Sequence, residues 1–257
     1  MDTALYLDRI GMTGPIEPTA ACLGRLQQAH LVTVPYENLD ILAGRPILLT
    51  EDALFEKIVA RRRGGYCFEL NELFGRLLRA LGYGVTDSFG RFLRGETGIP
   101  MRRHHVLLVK PQDDDARWLA DVGVGTGSPT RPMRLVEGEV LRDGADTYGL
   151  RRDDFLGWVL TERRGDVWRD VYSFTEEPQL PVDFVAASFY CEKSPDSIFN
   201  KAPMVSLRTE TGRRTRDGDE FRLFEGGRVS VVAAPGEAER RALMREWFGI
   251  DTECLLK

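Results

Sequence analysis

The 257-residue chain has little histidine, lysine or cysteine. It holds three histidines (His30, His104, His105), five lysines and four cysteines (Cys22, Cys67, Cys191, Cys254). The cysteines form no CxxC pair and the histidines are too few for zinc-ligand spacing. Neither a disulfide framework nor a metal site is expected. A basic excess is also missing. Lys and Arg total 35 against 40 Asp and Glu, a net charge of −5, which turns the reading away from nucleic acid. No apolar run reaches the roughly 18 to 20 residues of a membrane span. Met1 to Ile10 carries acids and no apolar stretch, so no signal peptide is expected. These absences predict a reduced, cytoplasmic protein without membrane or nucleic-acid partners.

What is present is ordinary globular composition, 42% apolar and 29% charged, enough to bury a sizeable core. Residues 1–82 read as helical. Thr19 to Leu31 carries Cys22, Leu23, Leu26 and His30 at helical spacing. Thr50 fits an N-cap ahead of Glu51 and Asp52, with a helix running to Arg61, Arg62 and Arg63 and stopping at Gly64-Gly65. A further helix starts near Cys67, with Leu70, Leu73, Phe74, Leu77, Leu78 and Leu81 on one face. From Val85 the period becomes that of strands. His104 to Lys110 and Arg117 to Val122 read as a hairpin across the acidic loop Gln112 to Ala116, and 157–163 with 167–175 as another. A helix at 182–190, strands at 204–210, 221–224 and 229–233, and a helix at 236–248 follow. The order predicts an α+β protein of three lobes, 1–83, 84–181 and 182–257.

Chemistry concentrates in Arg63-Gly64-Gly65-Tyr66-Cys67-Phe68-Glu69-Leu70-Asn71. Cys67 follows two glycines at a helix start, where exposed N–H groups and the dipole favour a thiolate. The glycines let the chain turn tightly and a substrate approach. A thiol below its ordinary pKa is the expectation. A nucleophilic cysteine needs a base, and the base an orienting group. The 104–110/117–122 hairpin places a histidine beside Asp121. His104 and His105 point to opposite faces of the strand, so at most one serves, and periodicity does not choose between them. His30 reads as a core residue. Gly123-Val124-Gly125-Thr126-Gly127-Ser128 has the look of a phosphate-cradling turn, but it lacks the Gly-Lys-Ser/Thr of a Walker sequence and the setting of a dinucleotide fingerprint.

With these residues together, the chain resembles the arylamine N-acetyltransferases over nearly its whole length. The likeness is carried by Tyr6-Leu7-Asp8-Arg9-Ile10-Gly11, Val34-Pro35-Tyr36-Glu37-Asn38-Leu39-Asp40, Arg63 to Glu69, Leu119-Ala120-Asp121-Val122-Gly123, Phe174-Thr175 to Pro178-Gln179 and Ser194-Pro195-Asp196-Ser197. The resemblance implies a helical bundle, a β-barrel and an α/β lid, with a papain-like Cys-His-Asp triad across the first two. It places the nucleophile on Cys67 and the aspartate on Asp121. The family's His, Leu three on and Val five on fits His104 with Leu107 and Val109, leaving His105 as the alternative. It further implies acetyl-CoA as acyl donor, an aromatic amine or hydrazine as acceptor, and a ping-pong reaction through acyl-Cys67. Tyr36, Phe68 and Val124 would line the substrate pocket, and Gly123, Gly125, Thr126, Gly127 and Ser128 would meet CoA. Arg63 would pair with Glu37 near Asn38 to brace the site. Val124 stands where the family usually has Phe, which predicts a wider acceptor pocket. A macrolactam-forming amide synthase, taking a polyketide thioester from a carrier protein, is the alternative function.

Overall fold

The computed structural model describes residues 1–255. Helices dominate the first third: α1 (Thr3–Arg9), α2 (Ala20–Thr33), α3 (Leu39–Leu42), α4 (Glu51–Phe55) and α5 (Cys67–Ala80), with a two-residue strand β1 (Tyr36–Glu37) after α2. Asp2 and Thr19 cap α1 and α2 through their side-chain oxygens. Thr50 holds the residue ahead of α4, yet its hydroxyl makes no capping bond. The helix expected to run from 51 to 61 is also shorter. It passes after Phe55 into a π-helical turn, Glu56–Ala60, and Arg62 takes a left-handed φ of 53°. That early turn carries Arg63 into the interior instead of leaving it on a basic, solvated helix end.

Strands follow: β2 (Gly84–Phe92), β3 (His104–Lys110), β4 (Trp118–Ala120), β5 (Met133–Arg134), β6 (Val140–Asp143), β7 (Asp146–Asp153), β8 (Gly157–Arg164) and β9 (Val167–Phe174). They form one antiparallel sheet in the order β5-β4-β3-β2-β9-β8-β7-β6. After α6 (Asp183–Lys193) come β10 (Met204–Arg208), β11 (Gly212–Asp217), β12 (Glu220–Glu225), β13 (Arg228–Val232) and α7 (Glu237–Phe248). These strands make a second sheet, β1-β10-β11-β12-β13. Tyr36 pairs with Ser206 and Glu37 with Val205, so the first sheet-forming residues of the chain are stitched to its last third. The architecture is mixed helix and sheet, as composition and order predict. Among the described residues no helix is long and apolar enough to cross a membrane.

Strand β11 has no counterpart in the sequence reading. Its Gly-Arg-Arg-Thr-Arg-Asp shows no apolar alternation. Its arginines lie on aromatic rings instead: Arg213 is 4.0 Å from the Phe224 ring centre and Arg216 is 5.3 Å from that of Phe221. Guanidinium stacking supplies the packing that apolar side chains supply elsewhere.

Strand β3 positions the site. Leu107 and Val109 pack into the helical core with Leu70, Leu73, Phe74 and Leu77 of α5. Val106 and Leu108 pack into the sheet core with Tyr148, Leu160 and Tyr172. Each such fully buried apolar side chain contributes on the order of 1.5–3 kcal/mol. The period of two then assigns the neighbouring histidines: His105 shares the helix-facing side, His104 the other.

Candidate active site

Cys67 is the first residue of α5. The Tyr66 N–H donates to Glu69 Oε2 at 3.2 Å, which satisfies one donor at the helix start. Lys57 Nζ reaches Glu69 Oε1 at 2.7 Å and Asp40 Oδ2 at 2.8 Å. Arg63 Nη2 reaches Glu37 Oε1 at 2.6 Å and Asp40 Oδ1 at 3.3 Å. The Leu39 N–H donates to Glu37 Oε2 at 2.7 Å. Two cations and three carboxylates thus form one buried network beneath the Gly64-Gly65 turn. Burial pushes Asp40 up, but Lys57 and Arg63 outweigh it and hold its carboxyl below the usual range. For Glu69 burial wins over Lys57 and its pKa is raised. Removing one partner strands a buried charge. Arg63→Ala is therefore expected to cost about 3–5 kcal/mol of stability, read from the urea midpoint. A loss under about 1 kcal/mol, the worth of a surface pair, would contradict this account.

Asn38 acts on the other wall. Its Nδ2 donates to the carbonyls of Phe199 and Ala202, each at 2.9 Å, and its Oδ1 accepts from the Met204 N–H at 2.8 Å. This one amide ties the segment carrying Phe199 and Met204 to residue 38.

The two histidines part as the period requires. His104 Nε2 lies 2.7 Å from Asp121 Oδ2, with Tyr172 4.9 Å from its ring. His105 Nε2 lies 2.9 Å from Asp87 Oδ1 and stacks on Phe184. Asp121 Oδ1 accepts from Asn71 Nδ2 and from the Gly123 N–H, both at 2.8 Å. Burial would raise the Asp121 pKa, but His104, Asn71 and the Gly123 N–H outweigh it and the carboxyl is held below its ordinary value. Asn71 was not singled out in the sequence. It sits one helical turn after Cys67 and is fully buried. It also donates to the His105 carbonyl at 2.7 Å and accepts from the Val122 N–H at 2.9 Å, joining α5, β3 and the 121–123 turn. A polar residue at i+4 from the cysteine, and so on the same helix face, was the available signal.

Cys67, His104, Gly123, Val124 and Tyr36 line one cavity of about 140 Å³, with Phe92, Arg103, Ile198, Phe199 and Met204. The Cys67 thiol donates to the Arg103 carbonyl at 3.8 Å. Phe68 does not line the cavity. It is fully buried and packs with Tyr66, Phe89 and Phe184, because the residue after Cys67 on a helix faces away from the residue itself. The expected low thiol pKa is also corrected. Burial, with Cys191 second, pushes the Cys67 thiol well up, against the backbone N–H groups of His105 and Phe68. A helix start alone does not offset full desolvation.

The 123–128 turn departs from a phosphate cradle. A Cβ on Gly123 would meet Asn71 Nδ2 at 2.6 Å and the Cys67 Cα at 2.7 Å, so glycine there lets the turn lie against Cys67. Gly125 has φ 65°, and a Cβ there would strike Ser206 Oγ. The Thr126 and Ser128 carbonyls accept from Arg208 Nη2 at 2.9 and 2.6 Å, and the Gly127 carbonyl from Arg94 Nη2 at 3.3 Å. Ser128 is fully buried, so it offers no surface to CoA, contrary to the expectation for it; Thr126 and Gly127 are half-buried.

Cys22, Cys67 and Cys191 are free thiols; the Cys254 side chain lies outside the described residues. Glu72, Asp87 and His105 bring three ligand-type atoms within 4.8 Å. Glu72 is paired with Arg76 and Asp87 with Arg79, so cations of the chain already serve these carboxylates.

The chain is similar to known proteins over nearly its whole length. A family model for N-acetyltransferases matches residues 19–255. The chain is 35% identical to an arylamine N-acetyltransferase of Mycolicibacterium smegmatis, covering 98% of this chain and 92% of that protein. It is also 35% identical to a Salmonella typhimurium arylamine N-acetyltransferase / N-hydroxyarylamine O-acetyltransferase, covering 96% and 86%. The structure of the Mycobacterium marinum arylamine N-acetyltransferase in complex with CoA superposes with a TM-score of 0.92 at 32% identity, covering 99% of this chain and 94% of that one. The chain belongs to the arylamine N-acetyltransferase family.

Proposed function

We propose that this chain transfers an acetyl group from acetyl-CoA to aromatic amines or hydrazines through an acyl-cysteine. One observation carries the reading: Cys67 and His104 share the wall of a single cavity, with Asp121 hydrogen-bonded behind the imidazole. In this reading Cys67 is the nucleophile, His104 the base and Asp121 the orienting group. Because burial disfavours an isolated thiolate, the proton moves to His104 rather than to water, and the thiolate forms as one half of an ion pair. Asp121 on Nε2 leaves Nδ1 as the ring nitrogen that takes it.

The thiolate attacks the thioester carbonyl. The C–S bond to CoA breaks, and the departing thiolate takes the proton back from the imidazolium. The amine nitrogen then attacks acyl-Cys67 while His104 removes its proton. Collapse breaks the C–S bond to Cys67 and releases the amide. Backbone N–H groups near Cys67 would hold the tetrahedral oxyanion. The layout is a helical lobe 1–83 with the nucleophile, a barrel lobe 84–181 with His104 and Asp121, and an α/β lid 182–257, arranged as in papain-like sites. Gly123 and Val124, on the cavity wall, bound the acyl and acceptor ends. The small Val124 leaves room that an aromatic ring would fill.

Intact mass spectrometry tests this. Mixed with acetyl-CoA alone, the protein is expected to gain one acetyl group, mapped to Cys67, and to lose it when an aniline or hydrazine is added. A reactive Cys67 that takes no acetyl from acetyl-CoA would overturn the acetyl-CoA reading. A carrier-bound donor and the amide-synthase chemistry would then replace it.

A further inference from the structure

Strand β2 separates two cavities. A Cβ on Gly90 would stand 3.4 Å from the His104 ring, so Gly90 faces the catalytic histidine. Its neighbours Phe89 and Arg91 then face the other way. On that side they line a cavity of about 230 Å³, together with Arg102 and Ser173. Among the described residues, none lines both this cavity and the one at Cys67. Two cations and two buried hydroxyls border it. Arg91 lies directly across from Ser173 in the β2–β9 register, so both side chains leave the sheet on the cavity's side. Ser173 is 1% exposed, and its Oγ has no hydrogen-bond partner among the described residues. The same holds for Oγ1 of Thr175, two positions on and also on the cavity wall.

We infer that this cavity is a binding site for a small organic acid, an apolar ring carrying one carboxylate. The site goes beyond the transferase reading and does not rest on it. Arg91 Nη1 donates to the Pro100 carbonyl at 2.6 Å, and no carboxylate among the described residues pairs with Arg91. Arg102 meets Glu177 through Nη1 at 3.4 Å. Burial and then the Arg102 charge lower the Arg91 pKa, which puts the two guanidiniums in each other's field. Arg102 already shares its charge with Glu177, so one further negative charge balances the pair. Guanidinium forks take a carboxylate through paired N–H donors. The Ser173 and Thr175 hydroxyls are free to donate to its remaining lone pairs. Phe89 and Leu156 add apolar wall. Phe155, in the β7–β8 turn, also lines the cavity and is 71% exposed, so a bound ring would cover aromatic surface now left to water. An apolar cavity of about 150 Å³ holds benzene, and this one, at about 230 Å³, has room for a substituted ring.

The probe is 4-bromobenzoate, which has no amine to acetylate, with 4-bromobenzamide as its neutral counterpart. In soaked crystals, anomalous scattering is expected to place the bromine beside Phe89 and Phe155, with the carboxylate on Arg91. Titration calorimetry is expected to show saturable binding of the acid, at least about tenfold tighter than the amide, the worth of one charge-assisted contact. Arg91→Gln is expected to erase that preference. Ser173→Ala is expected to weaken binding of the acid by about fivefold. Its urea midpoint is expected not to fall, because the hydroxyl has no partner to lose. Acid and amide bound equally by the wild type would overturn the site, as would an affinity for the acid that neither substitution changes. Bromine found only in the cavity at Cys67 would overturn it too. Bromine in the crystal without saturable binding in solution would mean binding at crystal concentration only, and the site would fall. Each of these failures leaves the transferase reading standing, since acetylation of Cys67 is measured separately.

Discussion

Cys67→Ala is expected to lower acetyl transfer to aromatic amines by at least about 10⁴-fold, because the two-step path through a covalent intermediate disappears with its nucleophile. The acetyl adduct on the intact protein is expected to vanish with it. No other described thiol can take over. Cys22 packs in the helical core and Cys191, though it adjoins Cys67 among buried aromatics, is not on the cavity wall. Serine is expected to fail too. Its hydroxyl ionises far less readily than a thiol, and the desolvation that already raises Cys67 would act on an alkoxide as well. The fold should survive, since alanine fits the space, and the far-ultraviolet circular dichroism of the variant is the control. Activity within tenfold of the wild type would remove Cys67 from the reaction.

Periodicity and punctuation made much of this site's neighbourhood legible. The apolar set from Leu70 to Leu78 and the Gly64-Gly65 break mark α5 and its start. The acidic loop between two apolar runs marks the β3–β4 hairpin, which brings residues 104 and 121 to the same end. What stayed hidden depends on tertiary packing. The local pattern reads Arg63 as the basic end of a helix; its pairing with Glu37 is expected from the family resemblance alone, and the π-turn and the left-handed Arg62 are what send it inward to Glu37 and Asp40. Strand β11 is hidden because arginine stacking replaces an apolar stripe. The thiol pKa of Cys67 follows from burial, which no local pattern reports. Ser128 and Phe68 look available in the sequence, and both are enclosed by elements far along the chain. The choice between His104 and His105 is a matter of face. The strand's own period settles which histidine shares a side with Leu107 and Val109 only once the helical core is known to lie there.

Asp121→Asn is expected to reduce kcat by about 10⁴-fold at neutral pH, the scale on which a wrong imidazole tautomer disables a cysteine- or serine-type site. The geometry gives the reason. Asp121 Oδ1 faces two donors, Asn71 Nδ2 and the Gly123 N–H, and Oδ2 faces His104 Nε2. An asparagine must turn its carbonyl toward the two donors, so its NH₂ points at His104. Nε2 is then forced to accept, and the ring proton moves to Nδ1, the nitrogen needed to receive the proton of Cys67. The same substitution changes the acid limb of stability. The Asp121 pKa is lowered in the folded protein relative to about 3.9 in an unfolded chain. Its contribution is therefore complete above that value and is lost as pH falls through the lower, folded value. The wild type is expected to lose stability across that acid interval more steeply than Asp121→Asn, as read from urea midpoints at stepped pH. Kinetics and stability then separate the roles. A 10⁴-fold loss of kcat at neutral pH, with a folded variant and a normal Cys67 thiol count, assigns Asp121 to orienting His104. A loss explained by unfolding alone would reduce it to a structural carboxylate.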